Sequence, residues 1–356
     1  MRISFRTDSS NLIGSGHVIR CLKLAKELKS RGHEIFFISR DHEGNLIDLI
    51  EENFQVYKLS LSDKNLYRED DDYQNWLGEE SSQDMHQTIE IIKELKIDVL
   101  VVDHYGISSD WELGIKKEVQ KLVVIDDIWT KDHCCDVLIN HNYTDRKNNY
   151  SSSLYKDTKL LLGPKFAIID EEYKKLADQK HFDKDKLENI LIYFGNSDLY
   201  NLTKIVLKIL LKPKFKKFEK NFVVSSSNSY LDNLLDLAKK DKKLNVFFDL
   251  PNLVNIMNKS DICIGAGGVT NLERLCVGLP SVVIAVADNQ LDSCQSLKND
   301  GFIYFLGEAK DINSNDIYDN ICKIFNSTDD LKNKSLKGKS LVDGNGIKRI
   351  VKHIED

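Results

Sequence analysis

Two spacings of apolar residues alternate along this chain. Short apolar runs at 3–5, 35–39, 56–59, 99–102, 122–125 and 137–139 read as strands. Between them, at 18–31, 46–52, 85–95 and 111–119, apolar residues recur at helical spacing. The runs 99–102 and 122–125 are almost continuously apolar, which suits strands buried on both faces of a sheet. Strand–helix alternation of this kind predicts a parallel sheet covered by helices. The stretch 142–159 is polar and reads as a loop with a short helix between domains, with a crossing point at 160–167. The alternation then restarts, with strands at 190–194, 222–225, 246–248, 262–264, 281–286 and 302–305 and helices closing the chain. The expected fold class is α/β: two doubly wound Rossmann-like domains facing a cleft. The expected domains are residues 1–165 and 166–356, with the last helix packing back on the first domain.

At 356 residues, the chain is long enough for two domains of ordinary size. A net charge of −6 gives no reason to expect a nucleic-acid or membrane partner. No apolar run reaches the length of a membrane span, and the first residues enter a strand without a signal-peptide layout. The seven cysteines have no C-x-x-C spacing, as expected in a reducing cytoplasm. The insert at 62–83, with its acidic run Glu69 to Asp72, reads as a solvated loop or short helix.

In an open α/β sheet, ligands bind beyond the carboxyl ends of the strands. After the first strand stand Arg6, Asp8, Gly14, Gly16 and His17. The glycines let backbone N–H groups approach a polar ligand. His17 opens a helix, where the dipole disfavours the imidazolium, so a neutral ring is available as a general base. The plainer alternative is a solvated cap residue, and the dinucleotide pattern fails because Ile19 stands where its third glycine belongs. Asp103, His104 and Tyr105 follow the strand at 99–102, and Asp126 and Asp127 the strand at 122–125. Such aspartates either orient a base and bind hydroxyls, or serve as turn and N-cap residues. His133, Cys134, Cys135, Asp136 and His141 match no zinc spacing and read as structural.

In the second half, Gly195-Asn196-Ser197-Asp198 follows a strand, and Gly265-Ala266-Gly267-Gly268-Val269-Thr270 follows another and opens a helix. A glycine-rich turn there offers N–H donors and a favourable dipole to a pyrophosphate. No Gly-Lys-Ser/Thr follows, so this is not a Walker loop. Glu273 either completes a capping box with Thr270 or grips ribose hydroxyls. Asn289 and Gln290 offer amides to sugar hydroxyls. Together these residues describe a nucleotide-diphosphate site.

The chain also resembles the UDP-2,4-diacetamido-2,4,6-trideoxy-β-L-altropyranose hydrolases of pseudaminic acid synthesis. The matching pieces include Arg6-x-Asp8-x-Ser10, Gly14-x-Gly16-His17-x-x-Arg20-Cys21, Asp103-x-Tyr105-Gly106, Ile125-Asp126-Asp127, Leu162-Gly163-Pro164, Ser197-Asp198-x-x-Asn201, Ala266-Gly267-Gly268-x-Thr270-x-x-Glu273 and Asn289-Gln290, in order. The resemblance implies a glycosyltransferase B-type fold, with the sugar on the first domain and UDP on the second. It implies water attack at the anomeric carbon with inversion and His17 as base; nothing visible in the sequence requires a metal or cofactor. Asp8 is expected to orient His17. Arg6, Gly14, Gly16, Arg20, Asp103 and Tyr105 are expected to contact the sugar. Asn196, Ser197, Gly267, Gly268, Val269, Thr270, Glu273, Asn289 and Gln290 are expected to contact the nucleotide. Asn196 departs from the family, which has glycine there. The alternatives are a glycosyltransferase of the same fold, a non-catalytic UDP-sugar-binding protein and a 2-epimerase. A transferase acting on a lipid-linked acceptor needs a basic apolar patch, which the acidic first domain lacks.

Overall fold

The computed structural model describes residues 1–62, 73–129, 131–144, 150, 156–182, 187–195 and 198–356. They form two compact units, Met1–Ile169 with Asn345–Asp356, and Asp170–Gly344.

The first unit holds β1 (Arg2–Thr7), β2 (Glu34–Arg40), β3 (Gln55–Leu59), β4 (Val99–Asp103), β5 (Lys121–Ile125), β6 (Val137–Asn140) and β7 (Lys159–Leu162). They pair in the order β3-β2-β1-β4-β5-β6-β7, parallel throughout. The continuous apolar runs have the cause expected of them. Val99, Val101, Val123 and Ile125 enter one core, and Leu100, Val102, Leu122 and Val124 enter another on the opposite face. The first core is completed by the helices Gly16–Ser30 and Gly346–Glu355, the second by Ser81–Leu95 and Ser109–Ile115.

Gly346 allows close approach of the last helix: a Cβ there would lie 2.1 Å from the Ala167 carbonyl oxygen. Ile350, Val351 and Ile354 of that helix are fully buried. Most of the stretch 142–159, read as a link between domains, lies outside the described residues; its described end, 156–159, belongs to the first unit and leads into β7. β7 is an edge strand in which only Leu161 is buried, so its apolar signal is weak.

The second unit holds β8 (Asn189–Tyr193), β9 (Glu219–Val224), β10 (Leu244–Phe248), β11 (Ile262–Ala266), β12 (Ser281–Ala285) and β13 (Tyr304–Glu308). Their order is β10-β9-β8-β11-β12-β13, again all parallel. Each sheet therefore reverses its winding beside its first strand, between β1 and β4 and between β8 and β11. A crevice opens at such a switch point. Among the described residues, no helix is long and apolar enough to cross a membrane.

Candidate active site

In the first unit the switch point carries a histidine held by an aspartate. After β1 the chain turns tightly. Ser10 Oγ accepts from the N–H of Leu12 and Ile13, and the Gly14 N–H donates to Ser10 O with Gly14 at φ +79°. The helix then starts at Gly16 without a side-chain cap. Gly14 and Gly16 are exposed, and a Cβ on Gly16 would meet nothing, so the space beside this helix start is open.

His17 is buried, with its Nδ1 2.6 Å from Oδ1 of Asp103, the last residue of β4. Burial opposes ionisation of Asp103, but the charges of Arg20 and His17 and their hydrogen bonds outweigh it. They hold the carboxyl well below its usual range. An ionised carboxylate has no proton to donate, so Nδ1 is the donor, and in the neutral tautomer the lone pair lies on Nε2. Tyr105 meets the imidazole edge-on, with ring centroids 4.4 Å apart. Trp76 also meets it edge-on at 6.0 Å and stacks on Tyr105 at 5.4 Å.

Arg20 is not free to contact substrate. Its Nε and Nη2 donate to both oxygens of Asp103, and its Nη1 donates to Asp127. Asp127 also accepts from the Tyr105 hydroxyl at 2.6 Å and from the Asn142 amide at 3.0 Å. Burial works against its ionisation, yet Arg20, His141 and the Tyr105 hydrogen bond bring its carboxyl down to about 2.

Two further expectations are corrected. Asp8 does not hold His17. Its Oδ1 accepts from Arg6 Nη1 at 2.6 Å and from the Arg40 N–H at 2.7 Å, and its Oδ2 lies 3.1 Å from His104 Nε2. Arg6 is fully buried, and its guanidinium pairs with Asp8 and Asp84, which itself accepts from Arg40 and the Trp111 indole. Arg6 and Asp8 thus belong to a sealed ionic network under the site. Tyr105 and Asp103 are buried as well, and act on His17 directly.

In the second unit, Gly195 follows β8 at φ +87°, while Asn196 and Ser197 lie outside the described residues. Asp198 accepts from the N–H groups of Leu202 and Thr203 and so caps the helix Leu202–Leu210. The glycine loop after β11 divides by role. A Cβ on Gly267 would lie 2.4 Å from Cys294 Sγ, so that glycine is demanded by packing. A Cβ on Gly268 would meet nothing nearer than Gln290 Nε2 at 3.6 Å, so that glycine keeps space open. Gly268, Val269 and Thr270 are half-buried, and no side chain caps the helix Thr270–Val277. The capping box is not made. Glu273 is buried and bonded to the Tyr173 hydroxyl, whose ionisation burial and that carboxylate both oppose. Gln290 spends its amide oxygen on the Val286 N–H at 3.0 Å, and Asn289 is exposed.

No protein-family model matches the chain. It is 30% identical over 303 residues to the UDP-2,4-diacetamido-2,4,6-trideoxy-β-L-altropyranose hydrolase of Campylobacter jejuni, covering 85% of this chain and 98% of that one. The chain belongs to this hydrolase family. Among solved structures, MurG of Acinetobacter baumannii matches with a TM-score of 0.68 at 14% identity, covering 100% of this chain and 99% of that one. UDP-GlcNAc 2-epimerase of Neisseria meningitidis, bound to UDP-GlcNAc, matches with a TM-score of 0.65 at 13% identity, covering 100% of both chains. At such identities the likeness is one of fold: two Rossmann-like domains of glycosyltransferase B type.

In this member of the altropyranose hydrolase family, two contributors to the site, Trp76 and Asp127, are not evident from local sequence. Trp76 lies in the insert read as solvated, and the cue was Tyr73-x-x-Trp76-Leu77 inside an otherwise acidic stretch. In the sequence Asp127 is legible only as a strand-end carboxylate, because nothing local ties it to Arg20, 107 positions away.

Proposed function

We propose that this chain hydrolyses a UDP-linked 2,4-diacetamido-2,4,6-trideoxy sugar at its anomeric carbon. Family membership and fold support an enzyme that processes a UDP-sugar. The observation that carries the activation of a nucleophile is the His17–Asp103 pair, a base with its orienting carboxylate, and the likeness to a hydrolase favours water as that nucleophile. Nε2 of His17 takes a proton from water as the new C–O bond forms. The bond from the anomeric carbon to the phosphate oxygen breaks, and its electron pair leaves with UDP. Asp103 holds the ring and balances the imidazolium as it appears. General-base help of this kind contributes about 10²–10⁴-fold.

The glycine loop at Gly268 and the uncapped start of Thr270–Val277 are assigned to the diphosphate, whose growing negative charge suits backbone N–H donors. Gly14 and Gly16 are assigned to polar groups of the sugar. The products are UDP and the free sugar with inverted configuration. The route served is cytoplasmic synthesis of pseudaminic acid for bacterial surface glycans such as those on flagellin.

The test is turnover in ¹⁸O-water with the altropyranose substrate and no acceptor present. Label in the sugar, with His17→Asn inactive but still binding UDP, is the expected result. Label in UDP, a strict need for an acceptor, or full activity of His17→Asn would overturn the reading.

A further inference from the structure

We infer that Arg20 is a positioning residue which, together with Asp127, holds the Asp103–His17 pair in its proton-accepting arrangement, and that it is not a ligand of the substrate phosphates. The inference rests on the reading of His17 as the base. Arg20 lies one helical turn beyond His17, so both side chains leave the same face of the helix. His17 Nδ1 and Arg20 Nη2 both donate to Asp103 Oδ1, each at 2.6 Å, which brings the two nitrogens within 3.3 Å of each other. The second Asp103 oxygen takes Arg20 Nε, so the carboxylate is gripped along its whole edge and cannot rotate.

That grip has two opposed consequences. Arg20 keeps Asp103 ionised, so Asp103 accepts from Nδ1 and directs the lone pair of the neutral ring to Nε2. The same cation, so close to the ring, disfavours the imidazolium that forms when His17 acts. Asp127, on the third guanidinium nitrogen, offsets part of that charge.

The other groups around His17 do not supply this balance. His104 and Tyr105 come from the end of β4. Burial lowers the pKa of His104 and raises that of Tyr105, so neither carries charge near neutral pH. Asp8 is paired with Arg6. His141, from the end of β6, is 3.8 Å from Asp127 and is pushed by burial down to about 4. Lys23, on the same helix, acts on His141. Trp76 and Tyr73 contribute uncharged rings, and Lys131 lies over Tyr73.

The experiment uses three variants of the full chain: Arg20→Met, Arg20→Lys and Asp127→Asn. The His17 ring is titrated by NMR without substrate, alongside pH profiles of kcat and KM and calorimetric binding of UDP. Arg20→Met leaves Asp103 unopposed, so the His17 midpoint and the acid limb of kcat/KM move up by about one pH unit. Asp127→Asn leaves the guanidinium uncompensated, and the midpoint moves down. Arg20→Lys keeps the charge but loses the fork, so kcat falls about tenfold while the midpoint stays in place. In all three, UDP affinity stays within about twofold, well inside the tenfold loss expected of a broken phosphate contact.

Shifts in the same direction for Arg20→Met and Asp127→Asn would overturn the inference. So would a tenfold loss of UDP affinity in an Arg20 variant with the midpoint unmoved. If Arg20→Met does not fold, the other two variants still decide it. Full activity of His17→Asn would remove the catalytic reading alone, since the NMR midpoints are measured without turnover.

Discussion

Asp103 Oδ1 lies 2.6 Å from His17 Nδ1, joining residues 86 positions apart in the chain. Asparagine at 103 presents an amide of the same shape, whose NH₂ can donate to Nδ1 and so favour the tautomer with hydrogen on Nε2. We predict that Asp103→Asn lowers kcat for UDP release by about 10²–10⁴-fold while UDP affinity is retained. Steady-state kinetics with calorimetry checks this, and an unchanged kcat would remove Asp103 from the mechanism.

Arg6 and Asp8 have the opposite expectation. Both side chains are fully buried and paired at 2.6 Å. Breaking a sealed pair from one side leaves an uncompensated charge, at a cost of about 3–5 kcal/mol. Arg6→Met is predicted to lower the urea midpoint by a corresponding amount. The fraction that remains folded should turn over within about threefold of the parent, well short of the loss expected for a removed base.

Gly267 and Gly268 are adjacent but should fail differently. Gly267→Ala forces a Cβ to within 2.4 Å of Cys294 Sγ, an overpacking that costs about 1–3 kcal/mol. Gly268→Ala meets nothing closer than 3.6 Å and should fold like the parent. It should nevertheless bind UDP more weakly, because its methyl fills the space assigned to the diphosphate. Thermal unfolding and UDP titration separate the two outcomes, and unchanged UDP affinity in Gly268→Ala would argue against that assignment.

Stability should depend on pH through His133. Burial disfavours its charge, but the Asp126 carboxylate 3.6 Å away and the hydrogen bond to Glu112 at 2.7 Å win and raise it from 6.5 to about 10. A raised value contributes stability that is complete below about 6.5 and is lost as pH climbs through 10. On the acid side, Asp127 falls from 3.8 to about 2, so its contribution is present above 3.8 and lost as pH falls through 2. Denaturant unfolding across pH should show the alkaline loss in the parent and not in His133→Gln.

Strand–helix alternation, the doubled architecture and the doubly buried central strands were legible because each is written in local spacing. Val99 to Val102 must be apolar at every position when successive side chains enter two cores. β7 and the helix Glu171–Gln179 were not legible, since each buries few residues. The glycine loops and His17 stood out because a glycine-rich turn between a strand and a helix is itself a local sequence signal.

Which carboxylate serves His17 was decided in three dimensions. Asp8 and Asp103 both stand at the carboxyl ends of neighbouring parallel strands, and as sequence they are equivalent. β1 lies between β2 and β4, with Thr7 beside Asp103 in register. Asp8 turns toward β2 and is captured by the Arg40 N–H and by Arg6. Asp103 is left facing the helix that carries His17 and Arg20. Residue type and spacing determined that a histidine and a carboxylate would meet at this edge of the sheet. Strand order and register determined which ones, because a side chain's partners are those the neighbouring strands bring beside it.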